Sequence, residues 1–383
     1  MFPPSKMEKP TGSKQVPENH ALVASANSDC RAGPVEPQQT GLDMPARAKV
    51  QHGVLRILCF FGLIVLLIYG MDTAISYGLR RIKTNQFGVS NGIVQGKINA
   101  DVIITGSSRA LCDCDPRIIQ SVTGLTAYNL GLNGSQTDMQ LAVLKTYLKH
   151  NRKPRIVIHN LDAFSFVMTR EVYDPGQYVP YLGEKDIYDA LRKINSEIWW
   201  KCKHLPLYGY VVEDMRLDWM QGPLGLLGRS PRESFFKGFK PRTEVWTGDF
   251  ANFRAANPDG VNFEIQPAGI QAMEDLIHVC QENGTRLIFV YPPEYREMQS
   301  LTRNRVDIFN EFQKLAREHG VSFWDFSNWE NADDTEIFQN SQHLNQKGAE
   351  IFSTDLAHRL AVELPRLPAK ETVNANLSNF VSN

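Results

Sequence analysis

The chain has 383 residues, of which 42% are hydrophobic and 22% charged, and its formal net charge is −1. That is globular composition, with length enough for one large domain or two small ones. Near-neutral charge without a Lys/Arg block leaves no phosphate footprint, so nucleic-acid binding is set aside.

Residues 1–50 are rich in Pro, Ser, Gln, Asn and Gly and poor in aromatics. Such a segment cannot bury enough apolar surface to offset its chain entropy, and it reads as a disordered tail. An apolar run then opens at Ile57–Leu58–Cys59–Phe60–Phe61 and continues to Leu79, with Asp72 its only charged residue. A membrane-spanning helix needs about 20 mostly apolar residues, so a transmembrane helix is predicted over 54–79. A buried core helix is the other reading. The run has no amphipathic face, however, and it follows a disordered leader. That leader is also too long for a cleaved signal peptide. Arg56 precedes the run and Arg80, Arg81 and Lys83 follow it, so charge does not settle its orientation.

The cysteines are Cys30, Cys59, Cys112, Cys114, Cys202 and Cys280. None has the C-x-x-C spacing of a zinc site, and Cys112 and Cys114 stand too close for a normal mutual disulfide. The compartment is not fixed by cysteine usage. Cys280 falls on a helical apolar face and reads as a small buried side chain.

From about residue 84 strands and helices alternate. Residues 102–105 form an apolar strand, 116–122 a short helix opened by Pro116, and 127–130 a strand leading to Gly131 and Gly134. Leu141, Leu144, Tyr147 and Leu148 recur at helical spacing, and a strand follows at 156–159. The pattern resumes with Ile270, Met273, Ile277 and Cys280 on a helix ending near Asn283–Gly284. A strand at 287–290, a helix marked by Phe309, Phe312 and Ala316, a last strand at 321–326 and a last helix at 346–360 complete it. Short all-apolar strands between helices imply a parallel sheet covered on both faces. The fold class is therefore α/β, a flavodoxin-like three-layer α/β/α sandwich over 84–365. Residues 366–383 read as a flexible tail.

A helical insert interrupts the pattern at 163–266. It carries Trp199, Trp200, Trp219 and Trp246, with Tyr173, Tyr178, Tyr181, Tyr188, Tyr208 and Tyr210. One reading is a subdomain with its own small core. The other is a lid or substrate platform, since aromatic rings suit sugar faces.

Ligands in such sheets bind beyond the carboxyl ends of the strands. Ser108, Gly134, Asn160 and His343 all fall there. Ser108 follows the first strand, with Gly106 permitting a tight turn, and His343 precedes the last helix. Together they make a hydroxyl nucleophile with an imidazole base. The plainer alternatives are a serine that caps the next segment, a turn glycine, a loop-capping asparagine and a structural histidine.

Four segments in order carry a resemblance: Gly106–Ser107–Ser108, Asn129 to Ser135, Asn160 and Asn340 to His343. They resemble the sequence blocks of the SGNH (GDSL-like) hydrolase superfamily. With the apolar helix, the chain is most similar to the membrane-anchored branch that includes proteins of lipoteichoic acid D-alanylation and alginate O-acetylation. The resemblance implies Ser108 as nucleophile and His343 as base. The Ser108 N–H, the Gly134 N–H and the Asn160 amide would serve as oxyanion donors. It implies a serine-dependent esterase or O-acyltransferase with its catalytic domain outside the cytoplasmic membrane. The substrate would be an acylated cell-surface glycan or related ester, with a membrane partner able to hand over the acyl group. No metal or organic cofactor is implied.

The family's acid, three residues before the histidine, is here Asn340. An asparagine oxygen can orient the ring but brings no charge. Asp325, at the end of the last strand, could supply the acid, as could Asp333, Asp334 or Glu336. Otherwise the pair works as a dyad, or the chain is a binding or assembly protein of the same fold. A cytoplasm-facing lipid or thioester hydrolase is the remaining alternative.

Overall fold

The computed structural model describes residues 44–169, 171–212, 218–232 and 235–364. Residues 1–43 of the expected tail, and the expected flexible tail at 366–383, lie outside them. The chain divides into two units, Met1–Leu66 and Leu67–Asn383. The boundary falls inside one long helix, Met44–Leu79. That helix starts ten residues before the expected 54, within the segment read as tail. Pro45 suits a first helical turn, and Ala46, Arg47, Ala48 and Lys49 are strong helix formers that carry it on.

Within this helix the 30-residue stretch Val50–Leu79 is long and apolar enough to cross a membrane. At 1.5 Å per residue it reaches about 45 Å, against a hydrocarbon core of about 30 Å. None of the residues in its most apolar window is buried in the protein. That is the opposite of a core helix, whose side chains would be covered.

The second unit is built on five parallel strands: β1 Val102–Thr105, β2 Ala127–Asn129, β3 Ile156–Asn160, β4 Arg286–Tyr291 and β5 Ser322–Asp325. Their order is β2-β1-β3-β4-β5. Ile104 stands beside Asn129 of β2 and Ile158 of β3, Ile158 beside Ile288 of β4, and Val290 beside Trp324 of β5. This is the doubly wound, flavodoxin-like order.

Because successive side chains alternate across a strand, each strand feeds two cores. Ile103, Val157, Leu287, Phe289 and Tyr291 face one, with Leu144 and Tyr147 from helix Thr137–His150, Met273 and Ile277 from Pro267–Glu282, and Phe312 from Arg305–His319. Val102, Ile104, Ile156, Ile158, Ile288, Val290 and Trp324 face the other, with Ile119 from helix Pro116–Thr123 and Phe352, Leu356 and Leu360 from Gln346–Glu363. The expected three layers are present, and the strand order reverses at β1, with β2 added on one side of it and β3 on the other. That switch point opens a crevice at the carboxyl ends of β1 and β3.

The first half of the insert packs its aromatic side chains inward. Tyr178, Tyr181, Tyr188, Trp199 and Tyr210 are buried together and form a third core. That core is not independent, since it also takes Leu79, Ile82, Phe87, Met139 and Ala142. In the second half, Lys237 runs along the outer edge of β2, where its carbonyl accepts the Asn129 N–H at 2.9 Å. The edge strand is thereby paired and not left open. Phe239 and Trp246 then join the core on the far face of the sheet.

Candidate active site

The turn after β1 sets the first side chain. Gly106 sits at φ +140°, and a Cβ there would fall 2.9 Å from both the Cβ and the carbonyl oxygen of Asn160. Only glycine lets β1 and β3 approach so closely. Ser107 is fully buried and is the helix cap: its Oγ accepts the Arg109 N–H at 3.2 Å. Ser108, the first residue of helix Ser108–Asp113, is partly exposed. The two serines are thus separated by role, one capping and one facing outward.

The loop before the last helix sets the second. Phe338 and Leu344 bridge in antiparallel fashion, and Gln339 N donates to the His343 carbonyl at 2.9 Å. Asn340 closes the turn with its side chain: Oδ1 accepts the N–H groups of Gln342 and His343, both at 3.0 Å. The same oxygen lies 3.0 Å from His343 Nδ1. Backbone N–H groups can only donate, so the Asn340 atom they meet is its oxygen. Nδ1, sharing that oxygen, must carry the ring proton. Nε2 is then bare and accepts the Ser108 hydroxyl at 2.8 Å. The relay Ser108–His343–Asn340 is continuous and holds the tautomer a general base needs.

Burial lowers the His343 pKa to about 3, with Arg242 and Arg109 adding unfavourable positive charge. The ring is therefore neutral and ready to accept a proton, yet it is a weak base.

Asp325 does not join this group. It lies exposed at the end of the edge strand β5, where its Oδ1 accepts the Ser327 N–H at 2.8 Å. Both ring nitrogens of His343 are already engaged by Ser108 and Asn340, so no position remains for a further carboxylate. Asp333 is paired with Arg296, and Asp334 caps the short turn Thr335–Ile337. Asp325→Asn should therefore change ester turnover by less than about threefold, measured as kcat/KM on a small acetyl ester. A hundredfold loss would restore it as the acid.

Asn160 also departs from expectation. It is fully buried on the core side of β3, and its Nδ2 donates to Cys114 Sγ at 3.2 Å. Its amide meets the side chain of the residue just past the helix Ser108–Asp113 and is not exposed. The Gly134 position is compatible with its expected role. Leu130 N and Leu132 N donate to the carbonyls of Ile104 and Gly106, which lays the loop after β2 beside the Ser108 turn. Gly134 has φ +61°, and a Cβ there would fall 2.5 Å from Tyr173 Cγ. Neither the Ser108 N–H nor the Gly134 N–H makes a hydrogen bond among the described residues.

Several residues hold this arrangement in roles that the sequence did not assign to them. Asn129 clamps the helix after Ser108: its Nδ2 donates to the carbonyls of Ala110 and Cys114 and its Oδ1 accepts Gly131 N–H. The buried Asp113 accepts the Leu344 N–H at 3.1 Å, tying the serine helix to the residue after His343. Burial pushes its carboxyl well above the usual range. Beneath Ser108, Arg109 is paired with Asp162 at 3.4 Å and lies over the Tyr291 ring. Trp246 and Thr247 of the insert donate to the carbonyls of Phe338 and Gln339 and so buttress the histidine loop. No cluster of three or more His, Cys, Asp or Glu side chains able to hold a metal occurs among the described residues.

No family model matches this chain, and no curated protein does. Among solved structures, the chain is similar to a candidate acylhydrolase from Bacteroides fragilis at 9% identity and a TM-score of 0.33, over 68% of this chain and 87% of that one. A likeness of that size carries no weight for function.

Proposed function

We propose that this protein is a serine-dependent esterase or O-acyltransferase. The observation that carries the reading is the relay from Ser108 Oγ through His343 to Asn340 Oδ1, at 2.8 and 3.0 Å. Ser108 Oγ attacks an ester carbonyl while His343 Nε2 takes its proton. The tetrahedral oxyanion is held by the N–H groups of Ser108 and Gly134, each such donor being worth about 2.7–4 kcal/mol in a well-formed site. The imidazolium then protonates the leaving alkoxide, which leaves an acyl-serine. Water, or the hydroxyl of a second molecule, attacks that acyl group with His343 again as base. Water gives hydrolysis and an alcohol gives transfer.

The substrate proposed is an acylated glycan or a related ester, and the action is proposed to lie outside the cytoplasm, on a chain anchored by its apolar helix. The glycan part gains support from rings beside the histidine loop. Trp246 and Tyr295 have centroids 4.7 Å apart, and Tyr295 N donates to the Ser341 carbonyl. Both rings are partly exposed, as a surface that stacks on sugar would be.

The test is labelling of the full chain in detergent with a fluorophosphonate probe, alongside turnover of acetyl esters. Labelling with turnover supports the enzyme. Absence of both supports a binding or assembly protein of the same fold, the reading favoured by an uncharged Asn340 and a weakly basic His343.

The depressed His343 pKa makes a separate prediction. A histidine with the ordinary value near 6.5 would cost about thirtyfold in active fraction at pH 5. Here kcat/KM should vary less than about threefold between pH 8 and 5, and an inflection near 6.5 would overturn it. Stability moves the other way. The unfolded chain binds a proton near pH 6.5 that folded His343, and His159 (also lowered to about 3 by burial), refuse. These two groups thus stabilise the fold above that pH, and their contribution is lost as pH falls toward 3.

A further inference from the structure

We propose that the foot of the second unit is a phospholipid-binding collar, in which apolar side chains of the insert enter the bilayer and a neighbouring basic cavity takes the phosphate of an anionic lipid. The proposal rests on the membrane reading of the apolar helix.

The first observation is where the insert grips that helix. Leu67, Tyr69 and Met71 are exposed. One residue later, Asp72 Oδ1 accepts the Leu207 N–H at 2.8 Å, and Ser76 Oγ meets Tyr210 OH at 2.6 Å. Gly78 crosses the short helix Gln221–Leu226 with no room for side chains: a Cβ on Gly225 would fall 1.8 Å from the Gly78 oxygen, and one on Gly78 would fall 2.0 Å from the Gly222 oxygen. From Met71 to Gly78 the helix rises about 10 Å. The insert therefore docks within two turns of the lipid-facing residues.

The second observation is what these gripping segments expose. Val211 is 67% and Leu227 71% exposed, and Trp219, Met220 and Leu226 are exposed beside them. Each lies within a few residues of a contact to the helix. Exposed aliphatic side chains with a tryptophan, level with the end of a span, suit the interfacial zone of a bilayer.

The third is the cavity. It measures about 870 Å³, and its wall includes Tyr77, Arg80, Arg81, Lys83 and Lys97, with Glu184 as its carboxylate. The four cations make no ion pair among the described residues, whereas Glu184 already pairs with Lys149 and His150. Arg80 Nε donates to the Pro180 carbonyl and Arg81 Nη1 to Tyr77 OH, which positions them without neutralising them. Unpaired cations around a concave site beside a membrane helix attract anionic headgroups. A phosphodiester carries one negative charge and two acceptor oxygens, which these side chains can bind.

The full chain in neutral detergent would be titrated with dihexanoyl phosphatidylglycerol, dihexanoyl phosphatidylcholine and glycerol phosphate, with thermal shift as readout. Phosphatidylglycerol should bind at least tenfold tighter than phosphatidylcholine. The variant Arg81→Gln/Lys83→Gln/Lys97→Gln, whose side chains are all exposed, should lose that preference. Leu226→Asn/Leu227→Asn should weaken the lipid but not glycerol phosphate. Equal binding of the two lipids, or a preference that survives the charge variant, would overturn the proposal. So would glycerol phosphate binding as tightly as the lipid, which would mark a site for a soluble phosphate. Alkaline carbonate extraction separates the two ideas: release of the full chain from membranes sinks the span itself, whereas retention without lipid preference sinks the collar alone.

Discussion

Ser108→Ala is expected to abolish fluorophosphonate labelling and to lower ester turnover by at least about 10³-fold, with the fold unchanged. The Ser108 side chain makes one hydrogen bond, to His343 Nε2, and is partly exposed. Its loss therefore costs little stability, while nothing else can form the acyl intermediate. Loss of the nucleophile removes nearly all the catalysis a triad provides. Ser107→Ala is the contrast. It removes the cap on Arg109 N–H, an effect of about 1 kcal/mol on stability, but leaves the nucleophile and should keep most of the labelling. Full labelling of Ser108→Ala would dismiss the assignment.

The second large effect belongs to Asn340. Replacement by Leu removes the acceptor shared by Gln342 N–H, His343 N–H and His343 Nδ1–H. The ring is then free to carry its proton on either nitrogen. Loss of the tautomer-setting partner in a serine-protease triad costs about 10⁴ in turnover. Because Asn340 brings no charge, a drop of about 10²–10³ is expected here. Asn340→Asp keeps the oxygen and adds a charge that favours imidazolium. Turnover should rise about tenfold, and the pH profile should gain an inflection closer to neutrality. Two variants indistinguishable from wild type in turnover and pH profile would remove Asn340 from the mechanism.

The sheet and its helices were legible because each strand is a short apolar run between helices with clear stops. The helix closed by Gly320 and the one opened by Pro116 fall within a few residues of where their signals put them. The placing of Ser108 and His343 was legible for a related reason: both sit at strand ends or just before a helix, where the chain must turn. The facing of Asn160 was not legible, because its position in sequence does not say which way a side chain at the end of a buried strand points. It lies on the same side as Ile158, toward Cys114, and is covered. Asp325 failed for a topological reason. β5 is the edge strand, whereas Ser108 follows β1, which β3 and β4 separate from it. Asp113 gave no signal, since its side chain works through the Leu344 N–H, which only the folded chain brings near, and Asn129, though it opens one of the four segments, gave no sign that it would hold the carbonyls of Ala110 and Cys114.

Ser108 and His343, the proposed nucleophile and base, stand 235 positions apart along the chain. They meet only when the C-terminal helix Gln346–Glu363 lies against helices Pro116–Thr123 and Ser108–Asp113, with Ser353 Oγ bonded to Asp115 N–H and the Asp113 carbonyl. During synthesis, the serine therefore emerges long before anything can activate it. Under the proposed mechanism, a nascent or C-terminally truncated chain would be chemically silent toward esters, even with β1 to β4 made. In the mature protein the same dependence makes activity a gauge of one docking event. Fraying of the last helix, a local opening short of global unfolding, would switch the hydroxyl off while most of the sheet stayed intact.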